Sequence, residues 1–200
     1  MDKSKLGFTT INLGHGSGGT MTRDLLDKII FKTFSNTFLN QKHDGSIVKF
    51  YGEIAISTDS FVITPIFFKG GNIGELAVHG TVNDVAMCGA IPKYLSLSFI
   101  IEEGLKISEF IKIVQSIKKA ADESGVLIIT GDTKVVERGK GDKIFINTTG
   151  FGAMHPKANI SVQNIQVGDK ILVNENIAQH GMAIMSERKG LQFESSIESD

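Results

Sequence analysis

Cysteine is almost missing from this chain: Cys88 stands alone among 200 residues. A lone thiol excludes an internal disulfide and any cysteine-based zinc site, and it fits a reducing cytosol. An excess of either charge is missing too. The 21 basic and 22 acidic residues leave a formal net charge of -1 and a pI near 6.5, which mark neither a nucleic-acid binder nor a protein of anionic membranes. No apolar run is long enough to span a bilayer. The start, Met1-Asp2-Lys3-Ser4-Lys5, leads into no apolar signal core. Repeats and low-complexity tracts are absent. What is present is an ordinary soluble, cytoplasmic composition, 41% hydrophobic and 22% charged, in a length that suits one sizeable domain or one domain and part of another.

The stretch Ile54 to Ala90 organises the rest. Glu53–Ser57 reads as a strand that ends at Thr58-Asp59-Ser60. A loop with Pro65, Gly70, Gly71 and Gly74 leads into a helix, Glu75–Met87, carrying Thr81-Val82-Asn83-Asp84 and closed by Gly89 and Pro92. Asp59 is thus expected where a strand gives way to a loop, and Asp84 on a helix packed nearby. Upstream, Phe8–Leu13 reads as a short strand. The cluster Gly14-His15-Gly16-Ser17-Gly18-Gly19 follows it. Thr20 or Thr22 then caps a helix with Leu25, Leu26, Ile29, Ile30, Thr33 and Phe34 at helical spacing. Downstream, Tyr94–Ile101 is a strand with Leu95, Leu97 and Phe99 on one face. Ser108 is placed to cap a helix whose stripe is Phe110, Ile111, Val114, Ile117 and Ala121, stopped by Gly125. Val126–Ile129 is a buried strand running into Thr130-Gly131-Asp132-Thr133-Lys134, and Ile144–Thr148 is a last strand before Gly150-Phe151-Gly152.

Interleaved strands and helices predict an α+β (mixed α/β) fold over residues 1–153. Residues 154–168 read as a connector. Residues 169–200, with a strand at Lys170–Val173 and a helix at Ile177–Lys189, read as the opening of a second domain too short to form its own core.

Two groups of residues carry possible chemistry. Gly14, Gly16 and Gly19 satisfy G-x-G-x-x-G, but the acid that a dinucleotide site wants about 20 residues on is absent, and no lysine follows as in a P-loop. The amides of Gly16, Ser17, Gly18 and Gly19 still make a phosphate cradle before a helix; the plain alternative is a flexible loop. Asp59, Asp84 and Asp132 would repel one another if they converged, unless a cation held them. Magnesium suits such a set if it also takes phosphate oxygens, whereas each aspartate alone could be a cap or turn residue. Lys134 could meet a phosphate or simply face solvent. Asn83 could donate to a nucleotide or hold Asp84 in place, and His15 could touch phosphate. His79 reads as a packing or hydrogen-bonding residue rather than a ligand, Glu102 and Glu103 as solvent-facing by default with a further carboxylate source as the alternative, and Cys88 as a buried free thiol.

In this order the segments His15–Gly19, Ser57–Val62, Gly80–Met87, Ile101–Gly104, Gly131–Val136, Phe145–Gly150 and His180-Gly181 resemble the hydrogenase maturation protein HypE family. That family lies in the wider PurM-like group of ATP-binding proteins related to aminoimidazole ribonucleotide (AIR) synthetase. The resemblance implies a PurM-like mixed sheet flanked by helices, and a homodimer whose N-terminal domains share a β-barrel-like core. It implies ATP-dependent dehydration of a carbamoyl group on the protein's own C-terminal cysteine to a thiocyanate, the cyanide donor for [NiFe] hydrogenase. Gly16, Ser17, Gly18, Gly19, Asp59 and Thr133 would bind ATP, Asp59, Asp84 and Asp132 would hold Mg2+, and Lys134, Asp84 and Asn83 would serve catalysis. Implied partners are the carbamoyltransferase HypF and a HypC–HypD scaffold complex. The family continues through a complete second domain to a short tail bearing the acceptor cysteine. This sequence stops at Asp200 with no C-terminal cysteine, and Cys88, mid-chain, cannot take that role. The expectation is therefore a truncated piece, inactive alone, exposing Ile171, Val173, Ile184, Met185 and Phe193 for self-association. Two alternatives stand beside it: another enzyme of the same superfamily, and a non-catalytic dimerisation and docking module.

Overall fold

A computed structural model describes residues 6–173, 176–189 and 199. A four-stranded sheet forms its centre, in the order β1 (Ile54–Phe61), β6 (Ile144–Met154), β4 (Ala90–Glu102), β5 (Leu127–Val136). The β1–β6 and β6–β4 pairs are antiparallel, and β4–β5 is parallel. A two-stranded ribbon, β2 (Phe67–Phe68) with β3 (Gly71–Asn72), leads into the long helix α3 (Ile73–Met87).

One face of the sheet is covered by helices. α3 lies across β1 and β6, and α4 (Ile107–Glu123) packs beside it. The N-terminal helical run comprises α1 (Thr20–Leu25), a wide π turn (Leu26–Ile30) and α2 (Phe31–Phe34). The core lies between the layers: Leu95, Leu97, Phe99 and Ile101 of β4 and Ile144 and Ile146 of β6 meet Phe110, Ile113, Val114 and Ile117 of α4. The apolar stripe expected on α4 is buried as the spacing requires. Thr81 and Thr148 are buried here too, and each satisfies the other: their hydroxyls pair, and Thr148 also donates to the Ala77 carbonyl.

The mixed α/β class agrees with expectation, but several local readings are corrected. β1 does not stop before Asp59. Asp59, Ser60 and Phe61 pair with Thr148, Asn147 and Ile146, so the ladder carries the strand onward. β5 likewise runs through Gly131-Asp132 because Leu97 and Ser98 pair with them. Phe8–Leu13 forms only one bridge, Thr10 to Lys106, and Leu13–Gly16 is a 3-10 turn. Neither Thr20 nor Thr22 caps α1, since Gly19 holds that position. Ser108 does not cap α4: the helix starts at Ile107, whose N–H is taken by the Thr9 carbonyl at 2.9 Å. Lys170–Val173 is not a strand. Ile171, Leu172 and Val173 are exposed with no ladder partner among the described residues, while α5 (Gln179–Lys189) does form. Ile184 is 7% exposed, packed on the main core rather than left open; Ile171, Val173 and Met185 are exposed as expected, and Phe193 lies outside the described residues. Among the described residues no helix is long and apolar enough to cross a membrane.

Candidate functional site

The glycine cluster is a built turn rather than a slack loop. Asn12 caps it: its Oδ1 accepts the Gly14 N–H at 3.1 Å, while the His15 ring accepts the Asn12 N–H. Thr22 closes the far side by accepting the Gly18 N–H at 3.0 Å and donating to the Gly14 carbonyl. Gly16 lies directly on β5, where a Cβ would come within 2.5 Å of the Val135 nitrogen. Only glycine lets the chain approach a strand so closely. Gly18 has φ +82, and Ser17, Gly18 and Gly19 are exposed. Sequence reading missed the outer anchor. Glu103, expected to face solvent, accepts the Leu13 N–H at 3.4 Å, and Glu102 accepts the Gly139 and Lys143 amides. Those two amides hold the Glu102 carboxyl below its ordinary pKa.

The carboxylates divide between two places. Asp84 on α3 accepts the Ser57 hydroxyl at 2.9 Å, which puts it on the helix-backed side of β1. Asp59 is two residues further along β1, hence on the same side, exposed, with its Oδ1 accepting the Ser60 N–H. Asp132 pairs across the sheet with Ser98, Asn147 and Ser60, whose side chains lie on the other face. Three strand spacings, about 14 Å, separate it from Asp59. The expected convergence of Asp59, Asp84 and Asp132 is therefore not found within this chain. Among the described residues no group of three or more His, Cys, Asp or Glu side chains could hold one ion. Alternation is the reason: Asp59 and Asp132 sit at register positions of opposite parity.

Thr133 follows the opposite parity to Asp132 and so turns toward the glycine turn, two residues before Val135. Lys134 shares the open face with Asp132 and is exposed, as is Asn83 on α3. A cavity of about 130 Å³ lies between the N-terminal helical run and β5, lined by Thr22, Leu26, Phe34, Phe99, Asp132 and Thr133. It is the size of one small ring. His15 is turned inward and fully buried. His79 is exposed rather than packed. Cys88 is exposed as well, at the C-terminal cap of α3, where the helix has passed the edge of the core.

Residues 42–154 match the family model of the AIR synthase related protein, N-terminal domain. This chain belongs to the AIR synthase related protein family. Within that family it is 45% identical over 201 residues to the carbamoyl dehydratase HypE of Azotobacter vinelandii, covering 100% of this chain and 59% of the relative. A crystal structure of hydrogenase maturation protein HypE in complex with ATP superposes with a TM-score of 0.82 at 44% identity, over 94% of this chain and 56% of that one. A chain of a crystal structure of a HypE–HypF complex matches at 47% identity with a TM-score of 0.73, over 88% of this chain and 57% of that chain. This AIR synthase related chain thus spans a little under three-fifths of the length of its HypE relatives.

Proposed function

We propose that this chain is the nucleotide-binding part of a HypE-like carbamoyl dehydratase, with residues 1–153 forming the ATP domain and residues 169–200 opening a second one. The observation that carries this reading is the likeness to a HypE solved with ATP, at 44% identity and a TM-score of 0.82. In the whole protein, ATP would phosphorylate the oxygen of a carbamoyl group carried on a C-terminal cysteine. The carbon–oxygen bond then breaks with phosphate as the leaving group, two N–H protons depart, and a thiocyanate remains. An amide oxygen leaves poorly until it is phosphorylated, which is why ATP is needed.

The glycine turn fits the phosphates: Ser17, Gly18 and Gly19 are exposed, and Gly16 seats the turn on β5. Asp59 and Asp84 fit Mg2+, because two carboxylates on one side of a strand plus phosphate oxygens are a sufficient hard-oxygen set. Magnesium would neutralise charge on the triphosphate. Asn83 beside Asp84, and Thr133 beside the glycine turn, line the two halves. Asp132 and Lys134 face the open side of the sheet. Lys134 acts on a nucleotide only if a second copy packs there, in a homodimer with a shared barrel-like core, whereas Asp132 also borders the cavity beside Thr133. The exposed Ile54, Ile56 and Ile100 of that face support such a packing. Docking of a HypF-like carbamoyltransferase follows from the likeness to the HypE–HypF complex. A HypC–HypD-type scaffold is the further expected partner.

Calorimetry tests the reading. Titrating Mg-ATP into the chain should give saturable binding, weakened at least about tenfold in Asp84→Ala, the size expected for losing one charged ligand contact. No binding by the unaltered chain, or binding unchanged in the variant, leaves the dimerisation and docking module as the better account.

A further inference from the structure

We infer that His15 is a positioning residue that locks the glycine turn through a capping hydrogen bond available only to a neutral imidazole. The reciprocal cap at Asn12 is the starting point. In such boxes the residue three places on is an acceptor, normally Glu or Gln, which reaches back to the cap's own N–H. Here that place is held by His15, whose Nδ1 lies 3.1 Å from the Asn12 nitrogen and 3.3 Å from the Asn12 carbonyl oxygen. One ring nitrogen cannot serve both, and the shorter contact assigns it as the acceptor. The proton then sits on Nε2. That nitrogen is buried and meets no hydrogen-bond partner among the described residues. A fully buried ring with an orphaned nitrogen is a costly way to fill space; the Nδ1 bond is what an isosteric apolar ring could not supply.

The surroundings keep the ring neutral. Phe8 lies against it with ring centroids 4.5 Å apart. β5 presents Val135 to the adjoining Gly16, an apolar contact. Two carboxylates flank the turn: Asp24 on α1, which favours the imidazolium, and Glu103, which is engaged with the Leu13 amide. Burial, the largest influence, outweighs the Asn12 carbonyl contact and the Asp24 charge, both of which favour the imidazolium, and holds the His15 pKa below its ordinary value of 6.5. The sign follows directly. A histidine that is harder to protonate when folded contributes its full share above pH 6.5, and that share falls away as the pH drops through 6.5 toward the lower folded value. Protonation puts a hydrogen on Nδ1, which then donates to the Asn12 carbonyl 3.3 Å away instead of accepting the Asn12 N–H, so the cap is lost and the turn loosens. A glutamate in this place would hold the turn at every ordinary pH; histidine makes it conditional.

This inference rests on the Mg-ATP reading only for its consequence, since the lock itself can be read without nucleotide. Ring 15N shifts of the 200-residue chain should show the Nε2–H tautomer at pH 7.5, with a midpoint below 6.5 at which the Gly14, Gly16 and Gly18 amide signals shift together. His15→Phe keeps the ring packing but removes the acceptor, so these amides should shift at all pH values and Mg-ATP affinity should fall roughly 2- to 10-fold, the value of one hydrogen bond. His15→Gln restores the usual capping acceptor and should recover affinity while abolishing the pH midpoint. An Nδ1–H tautomer, an ordinary midpoint, or amide signals indifferent to His15→Phe would overturn the lock. If the lock is seen and Mg-ATP still fails to bind, the nucleotide reading falls alone.

Discussion

The two faces of the central sheet are finished in different ways. On the helix-backed face, Leu95, Leu97, Phe99, Ile101 and Ile146 are all no more than 3% exposed, and α3, α4 and the N-terminal helical run seal them. On the open face, Ile54, Ile56 and Ile100 are 40%, 56% and 44% exposed, set among polar side chains that bond to one another: the Thr149 hydroxyl donates to Thr58, and the Asn147 amide to Ser60. A chain that buries one face of a sheet in its own helices and leaves apolar residues on the other has two jobs for the same strands. The first is folding, and the second, under the proposed dimer, is a surface for association. The candidate site is divided along the same plane, with Asp59 and Asp84 on the helix side and Asp132 and Lys134 on the open side.

Substitutions on the two faces should therefore behave differently. The largest effect is expected from Phe110→Ala, which removes a fully buried ring that packs edge-on to Phe99 at 5.4 Å between centroids. Denaturant unfolding should show a loss of about 3–5 kcal/mol. A loss under about 1 kcal/mol would mean that the helix-backed face does not carry the fold. Next is Thr148→Val, nearly the same shape without the hydroxyl. It strips the buried Thr81 hydroxyl of its partner and should cost about 1–3 kcal/mol. Smallest for stability is Ile56→Lys on the open face, within about 0.5 kcal/mol. Its readout is instead sedimentation, where a dimer of the unaltered chain should become a monomer. If the unaltered chain is already monomeric at high concentration, the open face is not a self-association surface and the comparison fails.

Some of the chemistry could be read before the fold was known, and the residues show why. Local patterns were dependable: the stripe of α4, the buried face of β4 and the helix bearing Asp84 all depend on spacing within one element. Strand ends were misread at Asp59 and Gly131-Asp132, because a polar tripeptide looks like a turn until a neighbouring strand pairs with it. Ser57, Thr22 and Glu103 were not singled out as site residues, since their partners lie 27, 8 and 90 residues away or close only in the folded turn. His15 was seen inside the glycine cluster, but its inward turn could not be seen.

By itself the sequence determined the mixed α/β class, the glycine turn, the acidic residues and the kinship with HypE, because these lie in residue identity and short-range order. Only the tertiary structure decided which side of the sheet each aspartate takes. That choice depends on strand register, where a shift of a single residue exchanges the two faces, and register is set by distant partners rather than by neighbours along the chain.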